Sequence, residues 1–505
     1  MDNENKKCNI TFGIILAVFL LFNLLTLKSY GLTWDEPSQH HIGAVTVNYM
    51  KGITDKEEFA RADQIYYGPF FEILNQNFGG WMLNMGFEYA DAFHILIIFA
   101  SAFGLFFSYK LISTLINPRI ALIACILLIL SPRFIAHSHF NPKDIPLFAE
   151  FVTSLYLLYL CFKNKKNSTA IWAGILIGFS LATRVDSVLV LPIFFIPYIV
   201  NLIIKKESHL KKDFSLLGII SSSALLTVFV FWPMLWKRPL ILFDSFFYFL
   251  RHHAWDSNVL YFGTSYAAKE LPWHYAIFYI FGTLSIFVVL PMIIGIFESA
   301  KKLKKQFLEY GILFLWPITR ILIAIIPGST RYDGMRHYIF ILPALVTFSA
   351  IGIDWIFKKI RNKIAIVAIS VLIILWLLVD LFRVYPYGDS YFNEIVRAIY
   401  PKNIEKQFEI EYWGASFREG LNWVNTNASI NSTVCVPFAE HLFLYYPVRK
   451  DIQIGCVEKP DYLMFITRTT FLPENFEEIY NYKNLDPVFK IQRYNSDLLY
   501  IYKLN

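Results

Sequence analysis

Long apolar stretches recur along this 505-residue chain, at about 10–27, 92–115, 119–132, 145–162, 170–183, 187–204, 214–232, 275–296, 308–326, 338–357 and 364–382. A helix crossing a hydrocarbon core of about 30 Å needs roughly 20 predominantly apolar residues, so the pattern predicts about eleven transmembrane helices. The stretches at 119–132 and 170–183 are short, as spans are when they end at a cavity that tolerates polar backbone. Composition agrees: with 56% hydrophobic and only 17% charged residues, no soluble surface covers the apolar part.

Lysine and arginine collect in alternate connections: Lys163, Lys165 and Lys166; Lys205, Lys206, Lys211 and Lys212; Lys301, Lys302, Lys304 and Lys305; Lys358, Lys359, Arg361 and Lys363. By the positive-inside tendency these mark the cytoplasmic face of a multi-pass protein of the cell (inner) membrane. The N-terminus is then cytoplasmic. Segments 28–91, 132–144, 233–274 and 327–337 and the tail 383–505 lie outside. Topology accounts for the lysines behind the net charge of +7, so the charge does not indicate a nucleic-acid partner. The first stretch reads as an anchor, because it is long for the apolar core of a cleaved signal peptide.

The chain divides into a transmembrane region, 1–382, and a tail, 383–505, where apolar runs shorten to strand length, as in Thr433–Val436, Tyr462–Ile466 and Leu498–Tyr502. Phe417, Leu421 and Val424 recur at helical spacing, so a small extracytoplasmic α/β domain is expected. Cys435 and Cys456 both fall in it, where an oxidising compartment allows a disulfide.

Chemistry must come from the outer segments. Trp34-Asp35-Glu36-Pro37 follows the first span. Thr33 with Glu36 makes a capping box and Pro37 suits a first helical turn, a structural role compatible with a catalytic one. Gly43–Met50 and Tyr67–Leu74 read as interfacial helices roofing a site near the membrane surface. Outward cations are informative: Lys143 and Arg133, Arg184, and Arg331 with Arg336 offer groups for a phosphate, arginine in a two-pronged geometry. Asp144 and Asp186 form a possible second acidic site, against ordinary roles at a helix N-terminus and in an ion pair.

Together these features resemble the membrane-embedded GT-C glycosyltransferases, particularly bacterial proteins similar to dolichyl-phosphate-mannose protein mannosyltransferases and aminoarabinose transferases. The residues that carry the resemblance are Trp34-Asp35-Glu36, Asn141-Pro142-Lys143-Asp144, Arg336-His337-Tyr338, Tyr391-Phe392-Asn393-Glu394 and Glu411-Tyr412-Trp413-Gly414-Ala415-Ser416. The resemblance implies a glycosyltransferase moving a hexose or pentose, with inversion, from a polyprenyl-phosphate carrier to a glycan, lipid or protein acceptor. It implies Asp35 as general base and Glu36 orienting the acceptor or the base. The carrier phosphate would fall to Arg331 and Arg336, with Lys143 and Arg184 next. The tail departs from the better-described members, no β-trefoil module is apparent, and Trp-Trp-Asp-x-Gly is absent.

Some relatives use a divalent ion, and oxygen ligation by Asp35, Glu36 and Asp144 is compatible with one. The histidines at 40–41, 137, 139 and 252–253 lack the spacing of a dedicated metal site. No phosphate-binding glycine loop, His-Glu-x-x-His, Gly-x-Ser-x-Gly or cytoplasmic Asp-x-Asp occurs, which favours a lipid-linked donor. The alternatives are a polytopic transporter or lipid flippase, with charges in broken helices of two related halves, and a noncatalytic assembly protein indifferent to Asp35.

Overall fold

The computed structural model describes residues 2–54, 65–207, 209–248, 255, 257–326, 329, 331–473, 475–482 and 485–504; His252 and His253 lie outside them. After α1 (Asp2–Leu25) come two helices of the first loop, α2 (Glu36–Met50) and α3 (Phe70–Asn84). α4 (Tyr89–Leu115) leads to a broken pair, α5 (Pro118–Ile129) and α6 (Pro132–Phe140), bent by 71°. α7 (Asp144–Asn164) and the short α8 (Asn167–Leu181) follow. A 3-10 turn at Val185–Leu189 opens α9 (Val190–Lys205), then come α10 (Leu210–Phe231) and α11 (Ile241–Phe247). A second broken pair, α12 (Tyr275–Gly282) and α13 (Ile286–Lys302), bends by 111°. α14 (Phe307–Ile325), α15 (Leu342–Lys359) and α16 (Lys363–Val384) complete the bundle.

This is a mostly helical, multi-pass membrane protein. Among the described residues, 8 helices are long and apolar enough to cross a membrane, or up to 10 if each bent pair is one span. The expected count of about eleven included 170–183, which belongs to the 15-residue α8, shorter than the others. The bends have local causes. Ser131 precedes Pro132 and is held extended, so α5 stops and α6 restarts at the proline. At the second bend Glu394 accepts from the Ile286 amide at 2.9 Å, while Asn393 Nδ2 donates to the carbonyls of Phe281 and Leu284, both at 2.9 Å. The tail's Tyr391-Phe392-Asn393-Glu394 run thus satisfies the backbone groups that the break leaves open. α13 and α15 cross backbone to backbone, since a Cβ on Gly295 would stand 1.7 Å from the Phe348 carbonyl oxygen.

Beyond α16 lie α17 (Glu394–Ile399), α18 (Phe417–Asn427) and α19 (Phe476–Tyr480), and a small sheet. Its strands are β3 (Thr433–Cys435), β4 (Gln453–Ile454), β5 (Tyr462–Ile466), β6 (Phe489–Arg493) and β7 (Ser496–Lys503), in the order β4-β3-β5-β7-β6. β3 runs parallel to β4 and β5, whereas β7 is antiparallel to β5 and β6. A separate hairpin, β1 (Asn258–Tyr261) with β2 (Thr264–Ala267), lies between α11 and α12. Cys435 and Cys456 form a disulfide.

The tail is seated on the first loop. A Cβ on Gly31 would stand 2.2 Å from the Ala415 carbonyl oxygen, so only glycine allows the approach. The Trp34 amide donates to the Trp413 carbonyl at 2.9 Å, and Arg418 reaches the Tyr30 carbonyl at 2.9 Å, Asp91 at 2.8 Å and Glu88 at 2.6 Å. Arg133 Nε donates to the Tyr391 carbonyl at 3.1 Å. The loops around 30, 133 and 333 and the tail therefore converge at one end of the bundle.

Candidate active site

The two neighbouring acids face different ways. Glu36 turns back: its Oε1 accepts from the Thr33 amide at 2.6 Å and the Thr33 hydroxyl at 3.0 Å, while Oε2 meets His94 Nε2 at 2.9 Å. That is half of a capping box, since the Glu36 amide goes to the Thr33 carbonyl and the helix starts at Glu36, which is fully buried. Asp35 occupies the N-cap position without a side-chain cap bond, and its carboxylate meets Arg336 at 3.0 Å. With 37% of its side chain accessible, Asp35 is the acid of the pair that can reach a substrate. Burial of the surroundings raises its carboxyl above the usual range; Arg336 and Arg468 oppose this and Asp333 adds to it.

Arg336 is clamped from several sides. Its second amino group meets Asp333 at 2.9 Å, and its plane lies over Trp413 at 4.6 Å and Tyr332 at 5.2 Å. Asp333 in turn meets Arg468 at 3.0 Å. Tyr67 and Tyr332 both feel the charges of Arg184, Arg336 and Asp35, so these groups share one electrostatic neighbourhood.

Arg184 closes the other side. It meets Asp144 at 2.6 Å and Asp186 at 3.0 Å, and Asp144 is also held by Asn141 at 3.0 Å. The run Asn141-Pro142-Lys143-Asp144 thus supplies the arginine's partner. A small pocket lined by Tyr66, Tyr67, Arg184, Val185 and Asp186 adjoins an apolar groove of about 330 Å³ formed by Leu181, Val185, Val188, Leu242, Phe243, Phe246 and Phe247. Val185 belongs to both.

The four expected phosphate cations have different partners. Lys143 is buried against Glu72 at 2.5 Å and donates to the carbonyls of Gly68 at 3.0 Å and Thr183 at 3.3 Å. Burial pushes the Lys143 ammonium down and the Glu72 carboxyl up, each opposed by the other. Arg331 donates to the carbonyls of Ser329 at 3.2 Å and Pro272 at 3.0 Å. Arg336 and Arg184 remain. The three carboxylates considered for a metal are likewise on separate partners, and among the described residues no group of three His, Cys, Asp or Glu could hold an ion. These residues do not fit an all-carboxylate site. His40 bonds Tyr89 at 2.9 Å and stacks on Phe93, and His139 stacks on Tyr30.

Sequence reasoning did not assign His94, Glu72, Asp333 or Arg468. Asp333 lies within the Arg331–His337 run, three residues before Arg336, a spacing that signals a pair. No local signal marks the other three.

Residues 79–236 match the family model of Dolichyl-phosphate-mannose-protein mannosyltransferase. Among solved structures, ArnT from Cupriavidus metallidurans bound to undecaprenyl phosphate aligns with 97% of this chain and 97% of that chain, at 12% identity and a TM-score of 0.50. AglB from Archaeoglobus fulgidus, in complex with an inhibitory peptide and a dolichol-phosphate, aligns with 78% of this chain and 53% of that chain, at 14% identity and a TM-score of 0.44. No curated protein matches the sequence. Over nearly its whole length the chain shares the fold of ArnT.

Proposed function

We propose that this protein is an inverting glycosyltransferase that moves a sugar from a polyprenyl-phosphate carrier to an acceptor at the outer face of the membrane. The observation that carries the reading is the accessible carboxylate of Asp35 held 3.0 Å from Arg336 at the end of the bundle where the loops and tail converge. The acceptor hydroxyl attacks the anomeric carbon and gives its proton to Asp35, while the bond from that carbon to the phosphate oxygen breaks. A positioned base contributes about 10²–10⁴-fold. Burial raises the Asp35 carboxyl, which strengthens it as a proton acceptor, and Arg336 opposes the rise.

The leaving phosphate gathers charge, which fixed cations in a dry site stabilise. Arg336 and Arg184 take that role. The apolar groove beside Arg184 suits the prenyl chain, so the carrier enters along Val185 and Val188 with its phosphate toward Arg184. ArnT, whose fold this chain shares, is itself bound to undecaprenyl phosphate. Glu36 acts on the base through the backbone of the loop it caps, and Lys143 holds Glu72, Gly68 and Thr183 together behind the site.

Broken helices also occur in transporters. Here the tail caps the second break through Glu394, and the open acid and the cations stand at one end. The test is purified Asp35→Asn with a polyprenyl-phosphate sugar: transfer should fall at least about 100-fold with the fold intact. Transfer at the wild-type rate would remove Asp35 from the role of base.

A further inference from the structure

A charged residue of the tail joins the site through Asp333. Arg468, just beyond β5, is fully buried although it lies some 130 residues from Arg336 in the chain. One amino group lies between Asp333, at 3.0 Å, and Glu409, at 3.5 Å; the other donates to the Tyr412 carbonyl at 2.6 Å. Its plane lies over Phe471 at 4.3 Å, Trp34 at 4.8 Å and Trp255 at 5.2 Å. Glu409 is itself held by Thr470 at 3.0 Å.

The charges therefore alternate along a line: Asp35, Arg336, Asp333, Arg468, Glu409. We propose that Arg468 is a positioning residue for the transfer reaction, through which the C-terminal domain sets the place of Arg336 and hence the surroundings of Asp35. The proposal rests on the glycosyltransferase reading above.

The physical argument is competition for Asp333. A carboxylate shared by two guanidiniums pulls on each less than it would on one alone. With Arg468 present, Asp333 holds Arg336 with one oxygen and leaves the other amino group for Asp35. Without it, the undivided charge of Asp333 draws Arg336 away from Asp35. Trp34 loses the cation beneath its ring at the same time, and Trp34 is covalently next to Asp35. Asp35 is faced by Arg336, Asp333 and Arg468, with Tyr67 and Tyr332 in the same neighbourhood.

The test uses the full-length protein in nanodiscs, with kcat and donor KM measured against pH for wild type, Arg468→Gln, Arg468→Lys and Asp333→Asn. A displacement of the base of around 1 Å costs up to about 100-fold. Arg468→Gln should lower kcat/KM roughly 10- to 100-fold and move the acidic limb of its pH profile upward, because Asp35 loses cationic support. Arg468→Lys, which keeps a cation for Asp333 but not the second arm on the Tyr412 carbonyl, should fall between. Asp333→Asn, which keeps both arginines, should move the limb downward even if Arg468→Gln proves too unstable to assay.

A purely structural role would reduce the amount of folded protein and leave the limb where it is in every variant, which would overturn the proposal. If wild type transfers no sugar from any polyprenyl-phosphate donor, the functional reading fails. If wild type is active and Asp35→Asn is not, while the Arg468 and Asp333 variants keep the wild-type profile, only the positioning role fails.

Discussion

Replacing Arg336 with alanine tests the cation at the centre of the site. The side chain makes two charged contacts, 3.0 Å to Asp35 and 2.9 Å to Asp333, and covers Trp413. Asp333 keeps Arg468 at 3.0 Å when Arg336 is lost, which limits the cost to folding. The cost to reaction is larger. One hydrogen bond from a charged group to the departing phosphate is worth about 1.5–3 kcal/mol, which is roughly 10- to 150-fold in kcat/KM. Arg336→Lys should recover only part of this, since an ammonium neither spans Asp35 and Asp333 nor lies flat on Trp413. The assay is initial rate against donor concentration in nanodiscs, with thermal unfolding beside it. Wild-type kcat/KM in Arg336→Ala would refute the reasoning, as would a loss matched by an equal loss of folded protein.

Other outcomes follow from the buried charges. Lys143→Gln leaves Glu72 without its cation in a buried setting, so thermal stability should fall by about 3–5 kcal/mol with donor KM little changed in the folded fraction; the reverse pattern would return Lys143 to the phosphate site. Burial raises the carboxyls of Asp389, to about 6, and Glu411, to about 8, Arg133 opposing it at Asp389 and Asp389 adding to it at Glu411. The folded protein then holds protons that the unfolded chain, near about 4, has lost. Stability should therefore decline as pH rises from about 4 through 8, and level off above. Glu411→Gln should flatten the decline in a series of unfolding scans, and an unchanged slope would contradict the assignment.

The helical body was legible because a membrane imposes length and apolarity directly on the sequence, and all of the expected apolar stretches are helical. The two bends were harder to read. Pro132 marks the first, but the second is completed by Asn393 and Glu394, over a hundred residues away. At the site, residue types were visible but partners were not. Asp35 and Arg336 stand 301 residues apart, so an acid after one span and an arginine before another give no sign that they meet. Arg331, and after it Lys143, looked suited to a phosphate, and only the fold turns Lys143 toward Glu72 and Arg331 toward backbone carbonyls. Arg468 carries no local pattern, because its meaning comes from the docking of the tail on the loop around Asp333.

The most direct measurement is transfer itself. Purified protein in nanodiscs is supplied with radiolabelled polyprenyl-phosphate sugars and candidate acceptors, and the anomeric configuration of the product is read alongside Asp35→Asn. The account predicts label moved from the lipid to an acceptor with inverted configuration, and its loss in the variant. Label that stays on the lipid while the lipid crosses the bilayer equally in wild type and Asp35→Asn would contradict it.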